Sequence, residues 1–119
     1  YSGHWDHLGV GEPDARGDKI YNGAVDNADG IASILEIARL FKAGPVPQRS
    51  VVFLTVTAEE EGLLGSEYYS ANPLYPTATT VAVLNLDAFD ATGPARDVST
   101  SGSAPLSAHR ASTISRTEL

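Results

Sequence analysis

The chain has 119 residues, of which 42% are hydrophobic and 19% charged, and this balance is typical of one globular domain rather than of a disordered segment. A formal net charge of −7 argues against nucleic acid or an anionic membrane as the main partner, since both bind clustered Lys and Arg. The sequence has no cysteine and no run of about 18 apolar residues, which excludes thiolate metal sites and gives no membrane-spanning segment.

The first residues, "YSGHWDH", place histidine and aspartate close together. In an extended chain His4 and Asp6 lie on the same face, so the carboxylate can hold the imidazole of a metal ligand. His7 falls on the opposite face and is interpreted as structural or solvent-exposed. Taken alone, the pattern fits a surface turn as well as a metal site.

Residues 8–25, with scattered Gly, Pro and Asp, are predicted to form a loop, and a long helix is predicted between Asp26 and Gly44. Apolar residues recur there at helical spacing, namely Ile31, Ile34, Leu35, Ala38 and Phe41. Asp26 lies at the start of this helix, where a carboxylate also has an ordinary explanation as an N-cap stabilised by the helix dipole.

Two continuous apolar runs, residues 51–57 and 80–86, predict strands that are buried on both faces. A shorter helix is predicted after Gly62, ending near Asn72 because a proline follows. This order of elements predicts an α/β layered domain, with a mostly parallel central sheet flanked by helices. Ligands of such sheets bind at the carboxyl ends of the strands.

Acidic residues follow both predicted strands. Glu59 and Glu60 come directly after the first strand, and their side chains point in different directions, so one can bind a cation while the other faces its water. Glu61 has the simpler explanation of a charge at a helix start. Asp87 ends the second strand, where a carboxylate needs a partner to offset its desolvation. Together with His4 and Asp26, these acids predict a cation site at one edge of the sheet.

The last part of the chain has a different composition. Residues 91–119 include 10 Ser or Thr among 29 residues and show no apolar period. We therefore divide the chain into a folded domain over residues 1–98 and a Ser/Thr-rich tail over residues 99–119, which is expected to be disordered or non-native. Because the chain contains no methionine and the sheet lacks members, the domain is expected to be incomplete at both ends.

Four stretches, "GHWDHLG", "YNGAVDNADG", "TAEEEGLLGSEYY" and "LNLDAF", resemble in order the motifs of zinc metallopeptidase family twenty-eight, the co-catalytic aminopeptidases. The resemblance implies a zinc exopeptidase-like fold, two zinc ions per complete domain, and hydrolysis of the N-terminal peptide bonds of peptides or proteins. Localisation is not readable from the residues, and a secreted or periplasmic location is expected from the resemblance alone.

The resemblance also implies a role for individual residues. One zinc would be held by His4 and Asp87 with a bridging Asp26, the other by Asp26 and Glu60, while Asp6 would support His4 and Glu59 would be the general base. The family's second zinc takes a further histidine from a downstream motif. Only His109 follows Asp87 here, without the acid expected before it, so that ligand is missing from the sequence pattern.

Two alternatives remain open at this point. A non-catalytic relative would keep the fold for binding, and a glutaminyl-cyclase-like acyltransferase would use the same scaffold with one zinc. The number of zinc ions per chain separates the cyclase from the peptidase.

Overall fold

The computed structural model of the chain describes residues 1–88. The strands are β1 (Ser2–His4), β2 (Gly9–Val10), β3 (Ile20–Tyr21) and β4 (Leu54–Val56), and the helices are α1 (Ala28–Ala43) and α2 (Leu64–Ala71), followed by a 3-10 turn at Thr77–Thr79. The predicted tail, residues 99–119, lies outside the described residues. No helix within residues 1–88 is long and apolar enough to cross a membrane.

A small parallel sheet is centred on β1. On one side β1 pairs with β4, with Ser2 opposite Leu54 and His4 opposite Val56. On the other side the Ser2 N–H donates to the Leu84 carbonyl, and the Leu86 N–H donates to the Ser2 carbonyl, both at 2.9 Å. The prediction of an α/β fold with a mostly parallel sheet is confirmed.

Helix α1 packs against β1 through one closely fitted contact. Ile34 is only 2% exposed, and a Cβ added at Gly3 would lie 2.9 Å from the Ile34 Cδ1 atom, so the glycine makes room for the helix. The helix ends where Gly44 N–H donates to the Leu40 carbonyl, as the Gly-Pro sequence predicted. Leu35, expected on the buried face, is 65% exposed.

The two predicted strands are shorter and less buried than expected. Residues 51–53 lie outside β4, and only the end of the 80–86 segment is hydrogen-bonded to β1. Val81 and Val83 are 74% and 68% exposed. The prediction of burial on both faces is therefore wrong for the described residues, because two helices and so short a sheet bury few side chains completely.

The segment predicted as a plain loop contains an antiparallel hairpin, in which Gly9 pairs with Tyr21 and Val10 with Ile20. Its connection is ordered by Asp14, whose Oδ1 atom accepts hydrogen bonds from the backbone N–H groups of residues 16 and 18 at 2.8 and 3.0 Å. An aspartate that organises a turn in this way allows two short strands to pair across a glycine-rich segment.

Candidate metal centre

The candidate site lies at the carboxyl ends of the parallel strands, where the amino end of α1 also arrives. His4 is the last residue of β1, the Glu59–Glu60 pair follows β4, and Asp87 follows the segment beside β1. Asp26 precedes Asn27, the N-cap of α1. The parallel arrangement brings these side chains to one edge although His4 and Asp87 are 83 positions apart.

His4 forms the floor of the site. Its side chain is 1% exposed, and its Nε2 atom lies 3.1 Å from Asp26 Oδ1 and 3.2 Å from Asp87 Oδ1. The two carboxylates are 43% and 39% exposed, so the site opens to solvent on their side. One ligand atom from each of the three residues lies within 4.8 Å of the other two.

Asp6 supports this site in two ways. Its backbone carbonyl lies 3.0 Å from His4 Nδ1, closer than its own carboxylate Oδ1 at 3.7 Å. Its carboxylate Oδ2 accepts a hydrogen bond of 3.0 Å from the Glu59 backbone N–H. The carboxylate therefore fixes the backbone of Glu59, and the imidazole is oriented mainly by the main chain, because the extended conformation that would align residues 4 and 6 ends at His4.

The hydrogen bonds of His4 indicate what the site can hold. Since a carbonyl only accepts, the Nδ1 atom must carry the proton that it donates to the Asp6 carbonyl. In the neutral imidazole Nε2 is then an acceptor facing the carboxylate oxygens of Asp26 and Asp87. Three acceptors at this distance need a proton or a cation between them, and a nitrogen with two carboxylate oxygens is a donor set that zinc binds. The residues present therefore fit a zinc ion.

Electrostatics at the site favour positive charge. Burial disfavours charging of His4, but its hydrogen bond to Asp87 and the negative charges of Asp87 and Glu59 outweigh burial, so the pKa of His4 is raised. Burial also raises the pKa of Glu59, helped by the charges of Asp87, Glu60 and Asp26 and opposed by His4. A proton on His4 would compete with a metal ion for Nε2, which makes metal binding dependent on pH.

A second group of ligand atoms shares Asp26 with the first. His7, Asp26 and Glu60 each place one such atom within 4.8 Å of the others, and His7 Nδ1 lies 2.6 Å from Glu60 Oε1. The sequence interpretation placed His7 away from the site, and this is wrong because β1 ends at His4 and alternation does not extend to residue 7.

Asn27 is a further residue that sequence reasoning missed. Its side chain is 1% exposed, its Nδ2 donates to the Leu86 carbonyl at 2.9 Å, and its Oδ1 accepts from the Gly30 N–H at 3.1 Å. Asn27, rather than Asp26, is therefore the N-cap of α1, because its amide can cap the helix and bind the neighbouring segment at once. The bond between Asp26 and Asn27 is a cis peptide.

Two other residues considered from the sequence do not join these groups. Glu61 is exposed, in agreement with its interpretation as a charge near a helix start. His109 lies outside the described residues. Within residues 1–88 the two groups of ligand atoms therefore draw on His4, His7, Asp26, Glu60 and Asp87.

Comparison with known proteins identifies the family. A probable zinc metalloprotease from Pyrenophora tritici-repentis is 38% identical over 85 residues, which cover 71% of this chain and 19% of that protein. A vacuolar membrane protease from Pyricularia oryzae is 42% identical over 66 residues, covering 55% of this chain and 6% of that protein. A probable glutamate carboxypeptidase from Arabidopsis thaliana is 40% identical over 70 residues, covering 55% of this chain and 10% of that protein.

No solved structure matches the chain significantly. The chain spans about a fifth or less of the length of these three relatives. The model of Peptidase family M28 matches residues 1–117, nearly the whole sequence. The chain therefore belongs to peptidase family M28.

Proposed function

We propose that this chain is part of the catalytic domain of a zinc-dependent aminopeptidase, which hydrolyses the first peptide bond of a peptide or protein. The observation that carries the proposal is the meeting of two ligand groups that share Asp26 at the carboxyl edge of the sheet. A shared carboxylate between two sets of nitrogen and oxygen donors is suited to two neighbouring cations.

In this proposal His4, Asp26 and Asp87 hold one zinc ion, and Asp26 and Glu60 contribute to the other. Two ions bound by these residues would supply Lewis-acid chemistry, which polarises the scissile carbonyl and makes the attacking water more acidic. Asp26 and Asp87 form the open rim of the site, and His4 lies beneath them, so a substrate carbonyl can approach from the exposed side.

Glu59 is proposed as the general base. Its Oε2 atom lies 3.9 Å from His4 Nε2, at the edge of the first group, and its side chain keeps 26% exposure to solvent. The hydrogen bond from its backbone N–H to Asp6 limits the movement of the residue. Glu59 would take a proton from the attacking water and pass it to the departing amine, a role that contributes about 10²–10⁴ in rate.

The negative charge of the site supports cleavage at the amino end of the substrate. Five carboxylates gather at the site, and two divalent cations offset four of these negative charges, so the remaining charge attracts the ammonium group of a free N-terminus.

The test of the base is Glu59→Gln in the intact protein. The amide has the same shape but cannot accept the proton, so we expect bound zinc to be unchanged while hydrolysis of an aminoacyl amide falls by about 10²–10⁴. Glu61→Gln is the matched control, because it removes a neighbouring charge at an exposed position. Full turnover by Glu59→Gln would remove Glu59 as the base.

A second candidate, a carboxypeptidase, is favoured by the name of the Arabidopsis relative. The two are separated by assaying a dipeptide with a free amino end and a blocked carboxyl end against one with the opposite blocking. We expect hydrolysis of the first substrate. Exclusive hydrolysis of the second would overturn the aminopeptidase proposal and support the carboxypeptidase.

A further inference from the structure

The β2–β3 hairpin lies beside the candidate metal centre and contacts it through His7. His7 Nδ1 lies 2.6 Å from Glu60 Oε1 at the site, and the His7 ring meets the Tyr21 ring of β3 at 65°, with the ring centroids 6.3 Å apart. Gly23, two residues after Tyr21, packs so closely on His7 that an added Cβ would lie 2.8 Å from His7 Cβ. Tyr21 is therefore one side chain away from the ligand groups of the site.

The Tyr21 ring has a fixed position on one face of the hairpin. Because side chains alternate along a strand and Gly9 pairs with Tyr21, these two residues share a face, whereas Ile20 lies on the other. An added Cβ at Gly11 would lie 2.5 Å from Tyr21 Cε2, so the ring packs on the bare backbone of Gly11. Contacts with Gly11 and His7 together hold the ring in place.

The ring nevertheless keeps a large open surface. Tyr21 is 45% exposed, and an added Cβ at Gly9, directly across the ladder, would meet no atom of residues 1–88 within 4 Å. The Tyr21 face of the hairpin thus offers an aromatic surface with free space beside it. An apolar side chain that covers such a ring removes apolar area of both partners from water.

We propose that Tyr21 is a specificity-determining residue, which binds the side chain of the substrate's first residue and favours a large apolar one such as leucine. The inference rests on the aminopeptidase function proposed above. In that reaction the first side chain branches from the carbon atom next to the scissile carbonyl, so it must lie close to the metal centre. The Tyr21 ring is a fixed, exposed aromatic surface beside that centre.

The competing explanation is that Tyr21 only holds His7 in place beside Glu60. The two explanations differ in how loss of the ring affects substrates of different size. A residue that holds His7 affects every substrate equally, because the metal centre is common to all of them. A residue that binds the first side chain affects a leucine substrate and leaves a glycine substrate, which has no side chain, nearly unchanged.

The experiment measures kcat/KM of the intact protein for leucyl amide and glycyl amide, in the wild type and in variants. We expect the wild type to prefer leucyl amide. In Tyr21→Ala we expect the ratio of the two kcat/KM values to fall by roughly 10-fold or more, since one methylene group in an apolar pocket already changes selectivity by about 10-fold. Tyr21→Phe should keep the ratio, because the ring rather than its hydroxyl group makes the contact.

Ile20→Ala is the matched control. It removes an apolar side chain from the opposite face of the same hairpin, where Ile20 is 60% exposed, and it should leave the ratio unchanged. Turnover of glycyl amide reports that each variant is folded. Tyr21→Val retains a residue suited to a strand and provides the same comparison if Tyr21→Ala does not fold.

Several outcomes would overturn the proposal. An equal loss for both substrates in Tyr21→Ala would show that Tyr21 only holds His7. An unchanged ratio, or the same change of the ratio in Ile20→Ala, would place the first side chain elsewhere. A wild type that does not prefer leucyl amide, or that prefers arginyl amide to it, would show that no apolar surface selects the first residue. Each of these results leaves the aminopeptidase function intact, whereas a wild type that hydrolyses none of these amides would overturn that function as well.

Discussion

At the scale of single residues, Asn27 joins helix α1 to the segment that carries Asp87. Its Oδ1 atom caps α1, and its Nδ2 atom donates to the Leu86 carbonyl. Asn27 follows Asp26 in the sequence, and Leu86 precedes Asp87. Both carboxylates of the first ligand group are therefore positioned by one buried amide. A substitution that keeps the cap but loses the donor tests this role.

We predict that Asn27→Asp destabilises the protein by about 1–3 kcal/mol, because a carboxylate would face the Leu86 carbonyl without a donor. Aspartate is as good an N-cap as asparagine, so a residue that only capped the helix would tolerate the change. Urea denaturation measures the difference. The matched control is Asn22→Asp, since Asn22 donates to the Ile20 carbonyl in the same way but is exposed. Equal effects of the two substitutions would contradict the bridging role.

The positions of the acids could be predicted from the sequence, and that of His7 could not. Glu60 and Asp87 follow apolar runs, and the carboxyl ends of parallel strands must meet at one edge. Residue 7 lies three residues beyond the end of β1, where the chain no longer alternates, so its direction depends on contacts with Glu60 and the hairpin. Contacts between distant segments leave no periodic signal in the sequence.

At the scale of elements, the turn between β4 and α2 presents the two glutamates. Ala58 has a φ of 55° and Leu63 a φ of 65°, both in the left-handed region, and the Glu59 carbonyl accepts the N–H groups of Gly62 and Leu63 at 2.9 and 2.8 Å. Non-glycine residues adopt this conformation at a cost of about 1–2 kcal/mol each. Strain of this kind is often found where a backbone positions catalytic groups.

We predict that Ala58→Gly changes the free energy of unfolding by less than about 1 kcal/mol, because relief of the strain is offset by the greater freedom of glycine in the unfolded chain. Hydrolysis should nevertheless fall, because the turn then holds Glu59 less firmly. Leu63→Gly is the control: it makes the same backbone change at a half-exposed residue and should keep activity. Steady-state kinetics and urea denaturation check both variants. Full activity in Ala58→Gly would show that rigidity of the turn is unnecessary.

The helices were predicted more accurately than the strands. Repeated apolar spacing and the Gly44-Pro45 stop defined α1 to within two residues, and the predicted end of α2 at Asn72 agrees with its last helical residue, Ala71. A strand depends on its neighbours for hydrogen bonds, and an apolar run does not show how many of its residues are paired. The β2–β3 hairpin was missed because its glycines and aspartates are equally typical of a loop.

At the scale of the whole molecule, part of the negative net charge is concentrated by the fold at the candidate metal centre. Five of the 15 acidic residues gather at one edge of the sheet, namely Asp6, Asp26, Glu59, Glu60 and Asp87. Without a cation these groups repel one another across the ends of β1, β4 and α1. The net charge alone argued only against nucleic acid and anionic membranes as partners, whereas the grouping of these acids depends on the order of strands.

We predict that removal of zinc by a chelator lowers the stability of the whole chain. An ion present at 100 times its dissociation constant contributes about 2.7 kcal/mol, provided that it binds only the folded state. Thermal unfolding with and without chelator measures the change. His4→Ala should show a smaller difference than the wild type, and Glu61→Gln the same difference as the wild type. An identical melting curve for wild-type protein with and without chelator would contradict a stabilising metal site.

The separation of 83 positions between His4 and Asp87 has a consequence for kinetics. Most of the described chain must fold before His4 and Asp87 come together. A zinc ion bound between them therefore stabilises the chain little in the early stages of folding. Interactions that form after the rate-limiting step lengthen the lifetime of the native state and leave the speed of its formation nearly unchanged. Bound zinc should therefore slow the unfolding of the protein and leave its rate of folding nearly unchanged.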